Sequence, residues 1–321
     1  MYKNKKIGVV IPCYKEETQI GMVIETMPDY IDKMIVVDDH SPDRTSEVAR
    51  EYASKEKYKD KVVIIRHEDN RGVGGAISSG YVWCRDNDMD IAVVMAGDGQ
   101  MDPNDLPELL DPVVDGRTDY SKGNRLVTGE AWKRIPKVRY LGNSALTLMT
   151  KIASGYWHVT DSQTGYTALN KRALKMLPIE NIYRSYGMPN DFLTTLNIYD
   201  MKVMDIPVNP LYGVGEKSKM VISKKIVPLF LLMVRLFMRR MLRKYVIRDF
   251  HPLIFFYGAS AVLFLMALPV WGKVIYCLVK YHTLLRVGTP TALLITIMAF
   301  QFLFFAMWSD MDYNRELNPH R

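Results

Sequence analysis

Two uncharged apolar runs near the C-terminus constrain this chain most. Leu253 to Gly272 reads LIFFYGASAVLFLMALPVWG, and Val287 to Ser309 reads VGTPTALLITIMAFQFLFFAMWS. About 20 apolar residues suffice for a helix to cross a bilayer. Two such runs in succession do not fit the core of a small soluble domain, so a membrane hairpin is expected at 251–312. The residues before it, at 48% hydrophobic and 24% charged over the whole chain, suit one globular domain of roughly 200 residues. Lys280, His282 and Arg286 lie in the short link between the runs, and Lys224 to Arg248 carries eight Lys or Arg. The excess of Lys and Arg upstream of the first run predicts a cytoplasmic N-terminal domain. Two spans then return the tail to that side. Met1 to Lys6 is polar, unlike a signal peptide. The net charge of +7 is best explained by anionic lipid headgroups beside the spans, not by nucleic acid. Cys13, Cys84 and Cys277 show neither metal-site spacing nor a disulfide framework.

The soluble part alternates two signals. Ile7–Ile11, Met34–Val37, Val62–Ile65 and Ile91–Met95 are short apolar runs that stop at Pro12, Asp38-Asp39, Arg66-His67 and Ala96. Helical stretches fall around Gln19–Thr26, Thr45–Ala53 and Gly75–Cys84. This βαβαβαβ order predicts an α/β domain whose mostly parallel sheet has helices on both faces. Ligands of such sheets bind at the carboxyl ends of the strands. Asp98 stands there, just past the fourth run and between Gly97 and Gly99. The turn after the first run, Pro12 to Glu17, lacks the G-x-G-x-x-G of dinucleotide dehydrogenases. Asn70-Arg71-Gly72-Val73-Gly74-Gly75 is the one glycine-rich turn; it is expected to offer backbone N–H groups to phosphate, with Arg71 adding charge. After Gly116 the alternation fades. Lys122–Arg125, Asp161–Tyr166 and Pro189–Asp191 are polar islands, each ordinary alone and informative in their order.

With these pieces in view, the chain resembles the family-two inverting glycosyltransferases, in the branch that makes polyprenyl-phosphate hexoses. The matching motifs are IPCYKEE, VVDDHSPDRT, NRGVGGA, AGDGQMDP, KGNR, DSQTGY and GEKSKM, spanning roughly residues 7–225 in family order. The resemblance implies a GT-A-type fold, a nucleoside diphosphate sugar donor of GDP-mannose or UDP-glucose type, and Mg²⁺ or Mn²⁺. It also implies a polyprenyl or dolichyl phosphate acceptor. It puts Pro12, Tyr14, Glu16, Asp38, Asp39, Arg71 and Gly72 at the nucleotide, and Asp98 and Gln100 at the metal and pyrophosphate. Arg125, Arg139, Asn143, Lys217 and Lys219 fall at the acceptor phosphate, the last two in a loop carrying an inserted lysine. One departure matters: the family's Asp-x-Asp is Ala96-Gly97-Asp98 here, without the first acid.

The chemistry accommodates that loss. Mg²⁺ is commonly held by one or two carboxylates plus substrate phosphates, so the sequence predicts a metal that arrives with the donor. The acceptor phosphate is already anionic and needs positioning more than a strong base. Planar guanidinium forks at Arg125 and Arg139 suit that task. Asp161 is expected to orient the arginines or to face the sugar, and Asp191 is the other acid able to act as base; both join Asp98 as catalytic candidates. Arg235, Arg239 and Arg243, and likewise Arg240, Lys244 and Arg248, recur at spacings of four or so with Leu229, Met233, Leu236 and Phe237 between them. Such a basic amphipathic helix, within 223–250, is expected to lie in the membrane interface. The catalytic domain is read as 1–222 and the tail as 313–321, and the paired spans are compatible with a homo-oligomer. Two other readings compete. One is transfer to another lipid or saccharide, although the chain lacks the Q-x-x-R-W motif of processive synthases. The other is a weakly catalytic, nucleotide-sugar-binding anchor that recruits a partner.

Overall fold

The computed structural model describes residues 1–126, 137–185, 187–209 and 226–319, apart from the side chains of 137–145 and of Ile226. The chain divides into two compact units, Met1–Phe237 with Glu316–Arg321, and Met238–Arg315.

The four apolar runs of the first unit are strands β1 (Ile7–Cys13), β2 (Lys33–Asp38), β3 (Val62–Arg66) and β4 (Ile91–Val94). Between them lie α1 (Ile20–Glu25), α2 (Thr45–Ala53) and α3 (Val73–Asp86). After β4 come α4 (Leu106–Val114), β5 (Tyr120–Asn124) and α5 (Lys137–Ser154). They are followed by β6 (Thr167–Asn170), α6 (Lys171–Met176), α7 (Met188–Ile198) and β7 (Val203–Pro207). The strands form one sheet in the order β3-β2-β1-β4-β6-β5-β7. β1 pairs in parallel with β2 and β4, β2 with β3, and β5 with β7; β6 runs antiparallel between β4 and β5. Apolar clusters fill both faces. Val9, Ile11, Val36 and Val93 point to one, and Val10, Ile35, Val37 and Val94 to the other. This is why these strands read as continuous apolar runs and not as alternating ones. Leu317, from the C-terminal tail, is 8% exposed and belongs to the second cluster.

The first unit also holds the start of α8 (Ile226–Leu242), where Met233 and Leu236 pack with Ala153. In the second unit α8 runs into a π-helical turn, Arg243–Arg248, followed by α9 (Leu253–Tyr281) and α10 (Gly288–Tyr313). Both α9 and α10 are long and apolar enough to cross a membrane, and only 17% of the most apolar window of each is buried. A soluble core helix would be mostly buried, and these two are not. They pair through every seventh residue: Leu253, Ser260, Ala267 and Val274 on α9, and Ala292, Ala299 and Ala306 on α10. A seven-residue repeat keeps one seam between two helices, and small side chains let the backbones approach. Ser260 Oγ donates to the Ala299 carbonyl at 3.0 Å, and Trp271 Nε1 to Thr296 Oγ1 at 2.9 Å.

One expectation for the basic helix is corrected here. Arg235, Arg243 and Arg248 are exposed, but Arg240 and Lys244 are buried at 0% and 1% exposure. Arg240 makes a forked pair with Asp310, Nη1 to Oδ1 at 2.7 Å and Nη2 to Oδ2 at 2.9 Å. Tyr245 donates its hydroxyl to Asp310 at 2.6 Å, and Lys244 Nζ donates to Asn314 Oδ1 at 2.9 Å. These two cations therefore serve a carboxylate and an amide of α10 and its end, not lipid headgroups.

Candidate active site

The carboxyl ends of β1, β2 and β4 lie side by side, and the turns that follow them are tied together. Asp39 N donates to the Cys13 carbonyl at 2.9 Å, Lys15 N to Ser41 Oγ at 3.1 Å, and Glu16 N to Thr45 Oγ1 at 2.9 Å. Pro12 and Glu16 are half-buried there, and Tyr14 is exposed. The Cys13 thiol reports the electrostatics. Burial pushes its pKa well up, and the charges of Glu16, Asp38, Asp98 and Asp43 push it further. Cys13 pairs with Asp38 in register, and Gly97 N donates to the Pro12 carbonyl at 3.2 Å, so the turns that carry Glu16, Asp38 and Asp98 are neighbours.

Asp38 and Asp39 are adjacent but differ in what they can do. Asp38 is fully buried. Its Oδ1 accepts from Ser41 N at 2.9 Å, and its Oδ2 from the Ser46 hydroxyl. Both oxygens therefore hold the loop into α2. In Asp39, Oδ1 accepts from His67 Nδ1 and from Arg71 N, each at 2.7 Å, and Oδ2 takes part in neither bond.

Asp98 is half-buried beyond β4, where its Oδ1 accepts from Gln100 N at 3.1 Å. A Cβ at Gly97 would lie 2.6 Å from Cys13 Sγ, and Gly99 has φ of 71°. Both positions therefore call for glycine. Among the described residues no group of three or more His, Cys, Asp or Glu is disposed to hold a metal ion. One carboxylate with a nearby amide side chain fits a hard cation that brings most of its ligands with it.

The glycine-rich turn differs from expectation. Arg71 N donates to Asp39, Gly72 N to Asn70 Oδ1 at 3.2 Å, and Gly74 N to the Arg184 carbonyl at 3.1 Å. A Cβ on Gly72 or Gly74 would lie 2.4 Å or 2.2 Å from the carbonyl oxygens of Arg184 and Tyr183. These glycines let two loops press together, and their N–H groups are engaged within the protein, not held out as a phosphate cradle. Asp191, 3% exposed in the first turn of α7, fastens the second loop by accepting from Tyr183 N at 2.8 Å.

Arg125 and Asp161 meet across the end of β5. Nε donates to Oδ2 at 2.8 Å, Nη2 to Oδ1 at 3.1 Å and the backbone N to Oδ2 at 3.2 Å. Burial would raise the Asp161 pKa. The bonds from Arg125 and the charges of Lys122 and Arg125 outweigh it and hold the carboxyl at about 2. The arginine side chain stays 40% exposed. Lys122, 1% exposed, donates to the Thr164 carbonyl at 3.2 Å, and burial brings its amine down to about 8. Arg139 and Asn143 lie on α5, but their side chains are outside the described residues, as are Lys217 and Lys219. Sequence reasoning passed over two buried partners. His67 reads as the polar end of a strand, and Lys122 as one letter of KGNR; only contacts over long separations mark them.

Comparison with known proteins agrees with this architecture. The family description Glycosyl transferase family 2 matches residues 8–177. The UDP-N-acetylglucosamine--dolichyl-phosphate N-acetylglucosaminyltransferase of Methanococcus voltae is 31% identical over 219 residues, covering 65% of this chain and 87% of that protein. The undecaprenyl-phosphate mannosyltransferase of Micrococcus luteus is 28% identical over 219 residues, covering 67% of this chain and 87% of its own. Among solved structures, glucosyl-3-phosphoglycerate synthase from Mycobacterium tuberculosis, in complex with Mn²⁺, UDP and glucosyl-3-phosphoglycerate, superposes with a TM-score of 0.52. The identity is 18%, over 74% of this chain and 80% of that one, and the likeness concerns the fold alone.

Proposed function

The chain belongs to glycosyl transferase family 2, and from that premise we propose that it moves a sugar from a nucleoside diphosphate donor to a polyprenyl or dolichyl phosphate, with inversion, at the cytoplasmic face of a membrane. The observation that carries this reading is that the turns bearing Glu16, Asp39 and Asp98 follow three adjacent parallel strands, with the Arg125–Asp161 pair beyond β5. The relatives named above carry dolichyl-phosphate or undecaprenyl-phosphate in their names. Those names support the acceptor class.

In this reading Pro12, Tyr14 and Arg71 border the nucleotide, and Asp39 offers its Oδ2 to the nucleoside, since Asp38 is committed to its own loop. Asp98 and Gln100 would hold the cation, which would supply stabilisation of negative charge on the departing diphosphate. Arg125 steadies the acceptor phosphate with its exposed edge while Asp161 fixes the arginine from beneath. Arg139, Asn143, Lys217 and Lys219 are proposed for the same anion. An acceptor oxygen bonds to the anomeric carbon as the bond from that carbon to the diphosphate breaks. The nucleotide leaves with the electron pair, and no proton need be removed. Asp191 then serves loop closure, not base catalysis.

Membership of the tail in the first unit supports an even number of crossings between Phe237 and Glu316, hence two spans with both ends on one side. The test is a donor screen with the full chain in detergent, a short polyprenyl phosphate, and Mg²⁺ or Mn²⁺. UDP-glucose, UDP-N-acetylglucosamine and GDP-mannose are the donors. One of them is expected to give a lipid-linked monophosphate sugar with the opposite anomeric configuration. Retention of configuration, or turnover only with a saccharide acceptor, would overturn the proposal.

A further inference from the structure

Asp39 does not stand alone at the end of β2. Its carboxylate is 4% exposed and the His67 side chain 3%. His67 Nδ1 lies 2.7 Å from Asp39 Oδ1, and His67 Nε2 lies 2.8 Å from Ser79 Oγ on α3. An ionised carboxylate only accepts, so the ring hydrogen sits on Nδ1. In the neutral ring Nε2 then takes the Ser79 hydroxyl hydrogen. The backbone closes the arrangement. Arg71 N also donates to Oδ1, and Asn70 Nδ2 donates to the Asp39 carbonyl at 3.0 Å. Two donors on one oxygen fix the rotation of the carboxylate and leave Oδ2 as the oxygen on offer. Ser79 borders a cavity of about 490 Å³ that Arg71 and Arg184 also line.

We propose that His67, its ring held in place by Ser79, is a positioning residue that aims Asp39 Oδ2 at the nucleoside of the donor. The inference rests on the nucleoside-binding role proposed for Asp39. It concerns how that acid is aimed, and predicts an effect on the nucleoside half of the donor alone. His67→Ala removes the donor that fixes the carboxylate. His67→Asn keeps an N–H near the Nδ1 position without needing Ser79. Ser79→Ala keeps the Nδ1 hydrogen that Asp39 requires but removes the bond that holds the far side of the ring, so the ring can turn away from Oδ1.

The test uses the full chain in detergent and titrates UDP and GDP, following whichever the wild type binds more tightly, beside inhibition by inorganic pyrophosphate. His67→Ala is expected to weaken nucleotide binding about tenfold, on the scale of one charge-assisted hydrogen bond. Pyrophosphate inhibition and kcat at saturating donor should each move less than about twofold. His67→Asn should restore most of the affinity. Ser79→Ala should lose about threefold, and adding it to His67→Asn should cost nothing more. Equal loss of nucleotide and pyrophosphate affinity, or no loss in His67→Ala, overturns the inference. Should His67→Ala not fold, unchanged nucleotide affinity in Ser79→Ala overturns it just as well. Asp39→Asn separates the two layers. If it binds nucleotide like wild type, the assignment of Asp39 is wrong and the inference falls with it. If it binds weakly while the His67 variants bind normally, only the positioning role fails.

Discussion

Asp98 is the acid on which the proposed cation depends, and its neighbours explain how one carboxylate suffices. Gly97 brings the backbone against Cys13, Gly99 turns it with positive φ, and the place of a partner acid is taken by Ala96. Asp98→Asn is expected to abolish transfer, by at least about a hundredfold, with nucleotide binding in the absence of metal little changed. Ala96→Asp should keep activity and create donor-free Mn²⁺ binding visible by calorimetry. Tight Mn²⁺ binding to donor-free wild type, together with full turnover in Asp98→Asn, would remove the site from Asp98. The Arg125–Asp161 pair makes a pH prediction. The Asp161 carboxyl is held at about 2 against an ordinary 3.8. A depressed carboxylate pKa adds stability above its unfolded value, and that stability is lost as pH falls through the folded one. The shift corresponds to roughly 2 kcal/mol at neutral pH. Wild type should therefore exceed Asp161→Asn in denaturant midpoint at neutral pH, with the gap closing between pH of about 4 and about 2. A gap that persists below that range would mean that Asp161 contributes by packing and not by charge.

At the scale of elements, the sequence was most legible where burial was simplest. β1 to β4 are covered on both faces, so they appear as apolar runs with polar ends, and α2 falls on Thr45–Ala53 as expected. β6 was not legible, because Thr167–Asn170 is four residues long and polar at both ends. It is a strand because it fits antiparallel between β4 and β5, a fact of tertiary pairing. The site divided in the same way. Acids at strand ends could be read from position alone, whereas the engagement of Asp38 by Ser46, and of Gly74 N by the Arg184 carbonyl, depends on contacts. The basic helix is the clearest case. Spacing gave two rows of cations and no means of telling them apart, since the acid that claims Arg240 is Asp310, 70 residues on. Removing one member of a buried pair leaves a stranded charge, at a cost of about 3–5 kcal/mol, whereas apolar replacement of both is often neutral. Arg240→Ala should therefore lower the melting temperature in detergent markedly, and Arg240→Met with Asp310→Leu should recover most of the loss. Arg243→Ala, at an exposed position, should leave it nearly unchanged. A melting temperature in Arg240→Ala equal to wild type would mean that Asp310 is not confined as the bonds imply.

For the whole molecule, the C-terminal tail makes the decisive connection. Leu317 sits in the apolar cluster of the first unit, and Glu316–Arg321 belongs to that unit although α9 and α10 precede it. The hairpin returns to where it left, with the Tyr313 hydroxyl donating to Asp249 Oδ2 at 2.7 Å. Cutting the chain after Arg248 therefore removes more than an anchor: it empties the place of Leu317, and losing a buried leucine costs about 2–5 kcal/mol. The truncated chain should bind nucleotide, because β1, β2 and β4 are intact, but should unfold at clearly lower denaturant. Replacing residues 250–313 with a short glycine-serine linker keeps Leu317 and should recover most of that stability, since the two ends already meet. Both variants lack the apolar pair, so both should lose turnover with long-chain acceptor in bilayers more than with short acceptor in detergent. Single-cysteine probes at Tyr2 and Asn318, introduced in place of those residues in the full chain, should label from the same side of sealed vesicles. Labelling from opposite sides would contradict two spans. Equal stability of truncated and linker variants would show that the tail contributes nothing to the fold.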